Sequence, residues 1–292
     1  MAQSRATIER RQLGAELRRL REGAGKSQKE AAEVIECDAS LISRLERGQA
    51  SLKVIEIESL LDHFNAPSDS REQIKGLAQA ARQRKPRRVY SDGLPGAFRR
   101  LLDHEQDATE IYYADSELIP GLLQHEDYIR AMMRSAEAIT PNIRREDSEA
   151  HVRFRLERQE LLERTNPPLI WFVIGEAALR RPIGSQQVLQ RQLKHLLERI
   201  ERHPHVVVQV VPLDAGDHPL LGGPIEILRF GENVPDIVHQ PTFIGAGVYV
   251  VEQRDIDECV RAFDRLRAIA LGPQESQDFI TKHMKELDHG HA

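Results

Sequence analysis

Ala39, Ser40, Ser43 and Arg44 fall on one side of a short helical stretch, and their chemistry is that of reading base edges. The two hydroxyls can donate or accept hydrogen bonds. The guanidinium can make the paired hydrogen bonds that single out guanine, worth about 1–3 kcal/mol of discrimination. Ile42 and Leu45, one turn apart, take the opposite side and pack inward. A helix that turns those four groups outward fits the major groove of B-DNA. Around it, Ser27, Gln28, Lys29, Arg47 and Lys53 would hold the protein on phosphates, which fix register without choosing sequence.

These side chains need a frame of helices, and the flanking residues supply its start and stop signals. Ser27, with Glu30 three residues on, forms a capping box for a helix that opens at Gln28 and closes at Ile35. Ala31 and Ala32 are small enough for a second helix to cross closely. Glu36 and Cys37 make the turn, Asp38 caps the next helix, and Gly48 ends it directly after Arg47. Upstream, Leu13, Leu17 and Leu20 give a first helix its apolar stripe, ended by Gly23 and Gly25. Downstream, Leu52, Ile55, Ile57, Leu60, Leu61 and Phe64 predict two further short helices. The sum is an all-α five-helix helix-turn-helix domain of about 55 residues, enough for a small autonomous core.

Ser27-Gln28, Ala32, Ile42-Ser43 and Glu46-x-Gly48 carry the pattern of the Cro/C1-type (XRE) repressors, and residues 12–65 resemble that family. The resemblance implies that Gln28 reaches a DNA phosphate from the start of the second helix. It implies also that Ala39, Ser40 and Arg44 face base edges. One position departs from the pattern. Glu36 stands where glycine is usual, because the turn needs a left-handed backbone, and a non-glycine residue there costs about 1 kcal/mol.

Over its 292 residues the chain carries a net charge of −5, which argues against nucleic acid until it is divided. Residues 1–88 hold 18 Lys and Arg against 13 Asp and Glu, a net +5, so the remainder carries −10. A basic end on an acidic body suits a protein that touches phosphate with one end only. No apolar run approaches the ~18 residues that cross a membrane, and the charged N-terminus lacks the apolar core of a signal peptide. Cys37 and Cys259 stand far apart without a CxxC pair and read as reduced thiols, so a cytoplasmic location is expected.

Residues 1–81 therefore read as the helix-turn-helix domain, core 12–65, with a following polar helix over 71–84. Residues 82–96, RQRKPRRVYSDGLPG, form a basic linker whose Arg82, Arg84, Lys85, Arg87 and Arg88 either lie on DNA backbone or keep a hinge solvated. Residues 97–292 alternate helix and strand and predict an α+β domain. A strand is expected at Glu110 to Tyr113, and LIWFVI (169–174) and HVVVQVV (205–211) read as buried strands. IEILRF, DIVHQ and VYVVEQ look like antiparallel strands. Helices are expected over 185–202, Arg254 to Ala270 and Pro273 to about Leu287.

Does this second domain carry chemistry? His203 and His205 flank a proline at a strand entry, but they lack the tighter pairs of zinc sites and read as ordinary surface residues. Asp214, Asp217 and His218 follow a strand end, where ligands dock in α/β sheets, and form a weak candidate effector pocket. Arg180 and Arg181 could grip an anionic ligand or simply close a helix. Gly222-Gly223-Pro224 precedes a strand rather than a helix and does not cradle phosphate, and His289 and His291 read as a disordered tail. There is no nucleophile elbow and no paired carboxylate setting, so no enzyme, cofactor or metal is expected.

A second resemblance covers residues 93–280. Ile119-Pro120-Gly121-Leu122-Leu123, Arg155-Leu156-Glu157-Arg158-Gln159, Leu179-Arg180-Arg181-Pro182, Val208-Gln209-Val210-Val211-Pro212 and the helix from Phe263 to Leu271 are similar to motifs shared by a large set of actinobacterial, antitoxin-like regulators. That resemblance implies a small protein partner encoded nearby. The sequence as a whole leads us to expect a homodimeric regulator on a double-stranded DNA operator, with residues 97–292 serving dimerisation and partner or effector binding. Two alternatives stay open: an antitoxin whose main role is to bind its neighbour, and a regulator that senses a small ligand.

Overall fold

The computed structural model describes residues 8–82, 96–139, 145–231, 234–241 and 247–289, and the chain forms two compact units. The first unit, residues 1–88 with 230–235, is built on five helices: α1 (Ile8–Gly23), α2 (Gln28–Val34), α3 (Ala39–Glu46), α4 (Val54–His63) and α5 (Ser68–Arg82). Leu13, Leu17 and Leu20 from α1, Ala31 and Ala32 from α2, and Ile42 and Leu45 from α3 share one core with Ile57, Leu60 and Ile74. Gly14 makes the tightest approach possible. A Cβ there would lie 2.4 Å from the Leu45 carbonyl oxygen, so only glycine lets α1 close on the end of α3.

Two expectations for this unit need correction. The run from Leu52 to Phe64 forms one helix, α4, rather than two, and Ile55 faces solvent. Five helices result because α5 begins at Ser68 and belongs to the same core through Ile74, Ala78 and Ala81. Asp38 holds the N-cap position of α3 with extended backbone, but its side chain makes no capping hydrogen bond. Apart from Arg82 in α5 and Gly96 in the next helix, the expected linker lies outside the described residues, as do positions 290–292 of the expected tail.

The second unit is α+β, with strands β1 (Glu110–Asp115), β2 (Leu169–Gly175), β3 (Val206–Val211), β4 (Ile225–Arg229), β5 (Ile237–Gln240) and β6 (Val248–Val250). Its helices are α6 (Gly96–Asp107), α7 (Glu126–Ile139), α8 (Arg145–Arg158), α9 (Glu176–Arg180), α10 (Gln186–Arg202), α11 (Gln253–Ile269) and α12 (Pro273–His289). The six strands form one sheet in the order β3-β2-β1-β4-β5-β6. β1, β2 and β3 run parallel, joined by helical crossovers, whereas β4, β5 and β6 add antiparallel beyond β1. Parallel strands covered on both faces read as unbroken apolar runs, which is why LIWFVI and VVVQVV show no alternation. On one face Tyr112, Val173, Ile227 and Val238 pack under Ile256, Phe263 and Leu266 of α11.

The opposite face carries charge in its interior. Register places Phe172, Tyr113, Glu226, His239 and Tyr249 in one row across five strands. Arg158 from α8 reaches into this row. Its Nε donates to both carboxylate oxygens of Glu105, on α6, at 2.9 and 2.8 Å, and an amino group lies 3.4 Å from Glu226. Two buried carboxyl groups thus share one guanidinium. Burial pushes the Glu105 carboxyl up to about 8, against the pull of Arg158. Glu226 goes the other way: burial would raise it, but His239, 3.4 Å away, and Arg158 outweigh that and lower it.

The Glu105 shift fixes a pH dependence. The folded chain keeps this proton to about pH 8, while the unfolded chain releases it near the ordinary value of 4.5. The folded state therefore binds more protons between those limits, and stability contributed at low pH is lost as pH rises. We expect the urea midpoint, followed through Trp171, the single tryptophan, to fall as pH rises from about 5 to 8, and Glu105→Gln to flatten that slope. An unchanged slope in the variant would remove Glu105 as the titrating group.

Candidate nucleic-acid interface

Helix α3 is short, and its placement decides what faces outward. Ile42 and Leu45 are buried, which leaves Ala39, Ser40 and Arg44 exposed and Ser43 half-buried. Two guanidinium groups fold along the same helix. Arg44 Nε donates to the Ser40 carbonyl at 3.3 Å, and Arg47 donates to the Ser43 carbonyl at 3.1 Å and to its hydroxyl at 3.2 Å. Arg44 keeps its two amino groups free for a ligand in that pose.

The turn before α3 has the backbone that the sequence pattern demands. Glu36 adopts φ +51°, the left-handed region, although it is not glycine. Strain of this kind at a non-glycine residue costs about 1–2 kcal/mol and persists only where the surroundings over-determine it. Here they do, because Ala31, Ala32, Ile42 and Leu45 fix both flanking helices in the core. Beside Glu36, burial and the charges of Asp38 and Glu56 push the Cys37 thiol up, so it stays protonated.

The side chains expected on phosphates divide into two groups. Lys29, Arg47 and Lys53 are exposed. Ser27 and Gln28 are engaged within the protein. Ser27 forms the expected capping box, its hydroxyl accepting from Glu30 N at 3.1 Å while Ser27 N donates to the Glu30 carboxylate at 2.8 Å. Gln28 turns its amide inward and donates to Glu46 at 2.8 Å. That carboxylate also accepts from Arg21 at 2.5 and 3.1 Å, with both side chains nearly buried. The bond to Glu46 keeps Arg21 firmly charged against the burial that opposes it. One carboxylate at the end of α3 thus binds α1 and the start of α2. Sequence reasoning used Glu46 only as a motif letter and did not find Arg21, whose partner lies 25 residues away.

In the second unit no hydrogen bond or ion pair among the described residues joins the five candidate pocket residues to one another. Asp214 and Asp217 are exposed beyond β3. Arg180 is held by Glu176, which also accepts from Leu213 N at 2.8 Å, and Arg181 is held by Glu117. Both guanidinium groups thus pair with acids while remaining about half exposed, and His218 is half-buried. The His203 and His205 rings do meet, 5.4 Å apart, beside Glu163 and Arg199, and burial lowers both. Among the described residues no three His, Cys, Asp or Glu side chains gather as a metal site would require, and no helix is long and apolar enough to cross a membrane.

Comparison with known families follows the same division. Residues 12–74 match a helix-turn-helix domain, which suggests a DNA-binding regulator. Residues 98–282, more than half of the chain, match a domain of unknown function, DUF5753. The chain belongs to the DUF5753 family. No curated protein and no solved structure matches it. Within the DUF5753 domain the motifs noted in the sequence turn out to be fastenings. Gln159 donates to the Gly121 and Gln124 carbonyls at 3.1 and 2.7 Å, Arg155 donates to Gln124 at 3.1 Å, and Gln124 donates to Ile119 O at 2.7 Å. Gln209 accepts from the Trp171 indole at 2.8 Å and donates to Leu271 O at 2.8 Å.

Removing a buried partner is costly: breaking such a pair leaves the other charge uncompensated, at about 3–5 kcal/mol. Glu46→Ala should therefore lower amide-exchange protection across α1, α2 and α3 of the full chain while leaving the DUF5753 domain unaffected. Wild-type protection of α3 in that variant would show that Glu46 is not what fastens the helix.

Proposed function

We propose that this chain is a sequence-specific transcriptional regulator that binds its operator as a homodimer. The observation that carries this reading is the orientation of α3, which turns Ala39, Ser40 and Arg44 to solvent while Ile42 and Leu45 anchor it. The helix-turn-helix match and the Cro/C1-type pattern support it. Arg44 then reads guanine, Ser40 and the half-buried Ser43 offer hydroxyls, and Lys29, Arg47 and Lys53 lie on phosphates. Two such helices reach half-sites about 34 Å apart on one face of the duplex. The C-terminal domain serves dimerisation and the binding of a partner or effector, and the chain works in the cytoplasm without catalysis.

A protein partner is the favoured second role, on one observation: Leu213 and Leu221 of the DUF5753 domain are 68% and 72% exposed. A partner's apolar surface laid over them would remove both from water. Co-expression with the product of the adjacent reading frame should yield a stable complex, and Leu213→Asp should weaken it. No complex, or one that ignores the substitution, would end the antitoxin-like reading.

Binding-site selection tests the main reading. Arg44→Ala should relax preference at one base pair by about 1–3 kcal/mol. Lys53→Ala should weaken all sequences alike and reduce the salt slope by about one. An identical selected motif for Arg44→Ala and wild type would overturn the base-reading role.

A further inference from the structure

The DUF5753 domain holds a recess that the sequence-derived pocket residues do not line. It lies between α11 and the turn that precedes β4, with a volume of about 320 Å3. That size falls at the lower end of small-molecule sites, ~300–1,000 Å3. Its floor is apolar: Leu220, Phe263 and Leu266 are buried there, and Phe263 is fixed by stacking on Tyr112 at 5.1 Å. Gly222 and Gly223 form a wall of bare backbone. Gly223 has φ +102°, which side chains rarely tolerate, and a Cβ on either glycine would meet nothing within 4 Å. The turn that could not cradle phosphate thus leaves the mouth of a recess open.

The rim is acidic. Asp255 and Glu258 project from α11, and among the described residues no Lys, Arg or His lines the recess. Arg254 approaches Glu258 at 3.5 Å with both side chains well exposed, a weak pairing, while Asp255 has no ion pair among the described residues. Cys259, also in the lining, follows Glu258 directly on α11, and its thiol is pushed up by burial and then by both charges. An apolar floor gains by expelling water under a hydrocarbon body. With Asp255 unpaired and Glu258 only weakly paired, the rim repels an anionic end and rewards a positive one.

We propose that this recess binds a small molecule with an apolar body and one cationic end, an alkyl- or arylalkylammonium. The hydrocarbon lies on Leu220, Phe263 and Leu266, and the ammonium meets Asp255 and Glu258. This goes beyond the DNA-binding reading and does not depend on it.

Calorimetry on the full chain with n-octylammonium, 1-octanol and octanoate tests the proposal. The expected result is one n-octylammonium per chain, bound about tenfold more tightly than 1-octanol, with octanoate weaker still. The double substitution Asp255→Asn, Glu258→Gln should erase the preference for the ammonium and keep 1-octanol binding. A second block needs no core substitution: in Cys37→Ser protein, alkylation of Cys259 with N-ethylmaleimide should abolish binding of all three. Equal affinity for n-octylammonium and octanoate, binding that survives Cys259 alkylation, or no binding would each overturn the assignment. Operator affinity of the same protein without probe is measured separately, so failure here is distinct from failure of the regulator reading.

Discussion

A single carboxylate, Glu46, determines whether the first unit can present a recognition surface at all. It stands at the last position of α3 and collects hydrogen bonds from Arg21 of α1 and Gln28 of α2. Apolar packing alone fixes the depth of a helix better than its rotation, because hydrophobic contact has no direction. Hydrogen bonds to a buried carboxylate do have direction. Glu46 therefore supplies what Ile42 and Leu45 cannot: a fixed angle for the face that carries Ser40 and Arg44. Gly14 completes the arrangement by letting α1 touch the carbonyls at the same end.

The DUF5753 domain uses the same device on a larger scale. Arg158 links α8 to α6 through Glu105 and to the sheet through Glu226. Buried ion pairs are weak sources of stability, since desolvation offsets most of their attraction. Their better-attested use is to select one arrangement among several of similar packing energy, and the row from Tyr113 to Tyr249 is suited to that role. Gln124, Gln159 and Gln192 add neutral fastenings to the segment around Gly121.

What could be read from the sequence divides along physical lines. Helix caps and apolar periods are local, so Ser27 with Glu30, the stripe of α1, and helices α10, α11 and α12 were legible almost to the residue. The strands were legible because β2 and β3 are covered on both faces and nearly uniformly apolar. Their order was not, since β1 pairs with strands that no local signal identifies. The charged fastenings were hidden for the same reason: Arg158 meets Glu105 and Glu226 from 53 and 68 residues away. A clue did exist at Glu226, a lone acid within an apolar strand. The expected division between Leu52 and Phe64 does not occur, because α4 runs unbroken through the exposed Ile55. At the candidate pocket, the sequence did not show that Arg180 and Arg181 meet acids, Glu176 and Glu117.

The position of β1 also governs how the chain can be made. Its neighbours in the sheet arrive late, and Glu110 reaches its partner Arg229 only after 119 further residues. During synthesis the ribosome must deliver most of the polypeptide before that central strand can be enclosed. The five N-terminal helices share an apolar core drawn from their own segment, whose contacts form early and quickly. A nascent chain can therefore close its five-helix unit well before its sheet is complete, and for that interval the apolar strands β1 and β2 wait for the partners that will cover them.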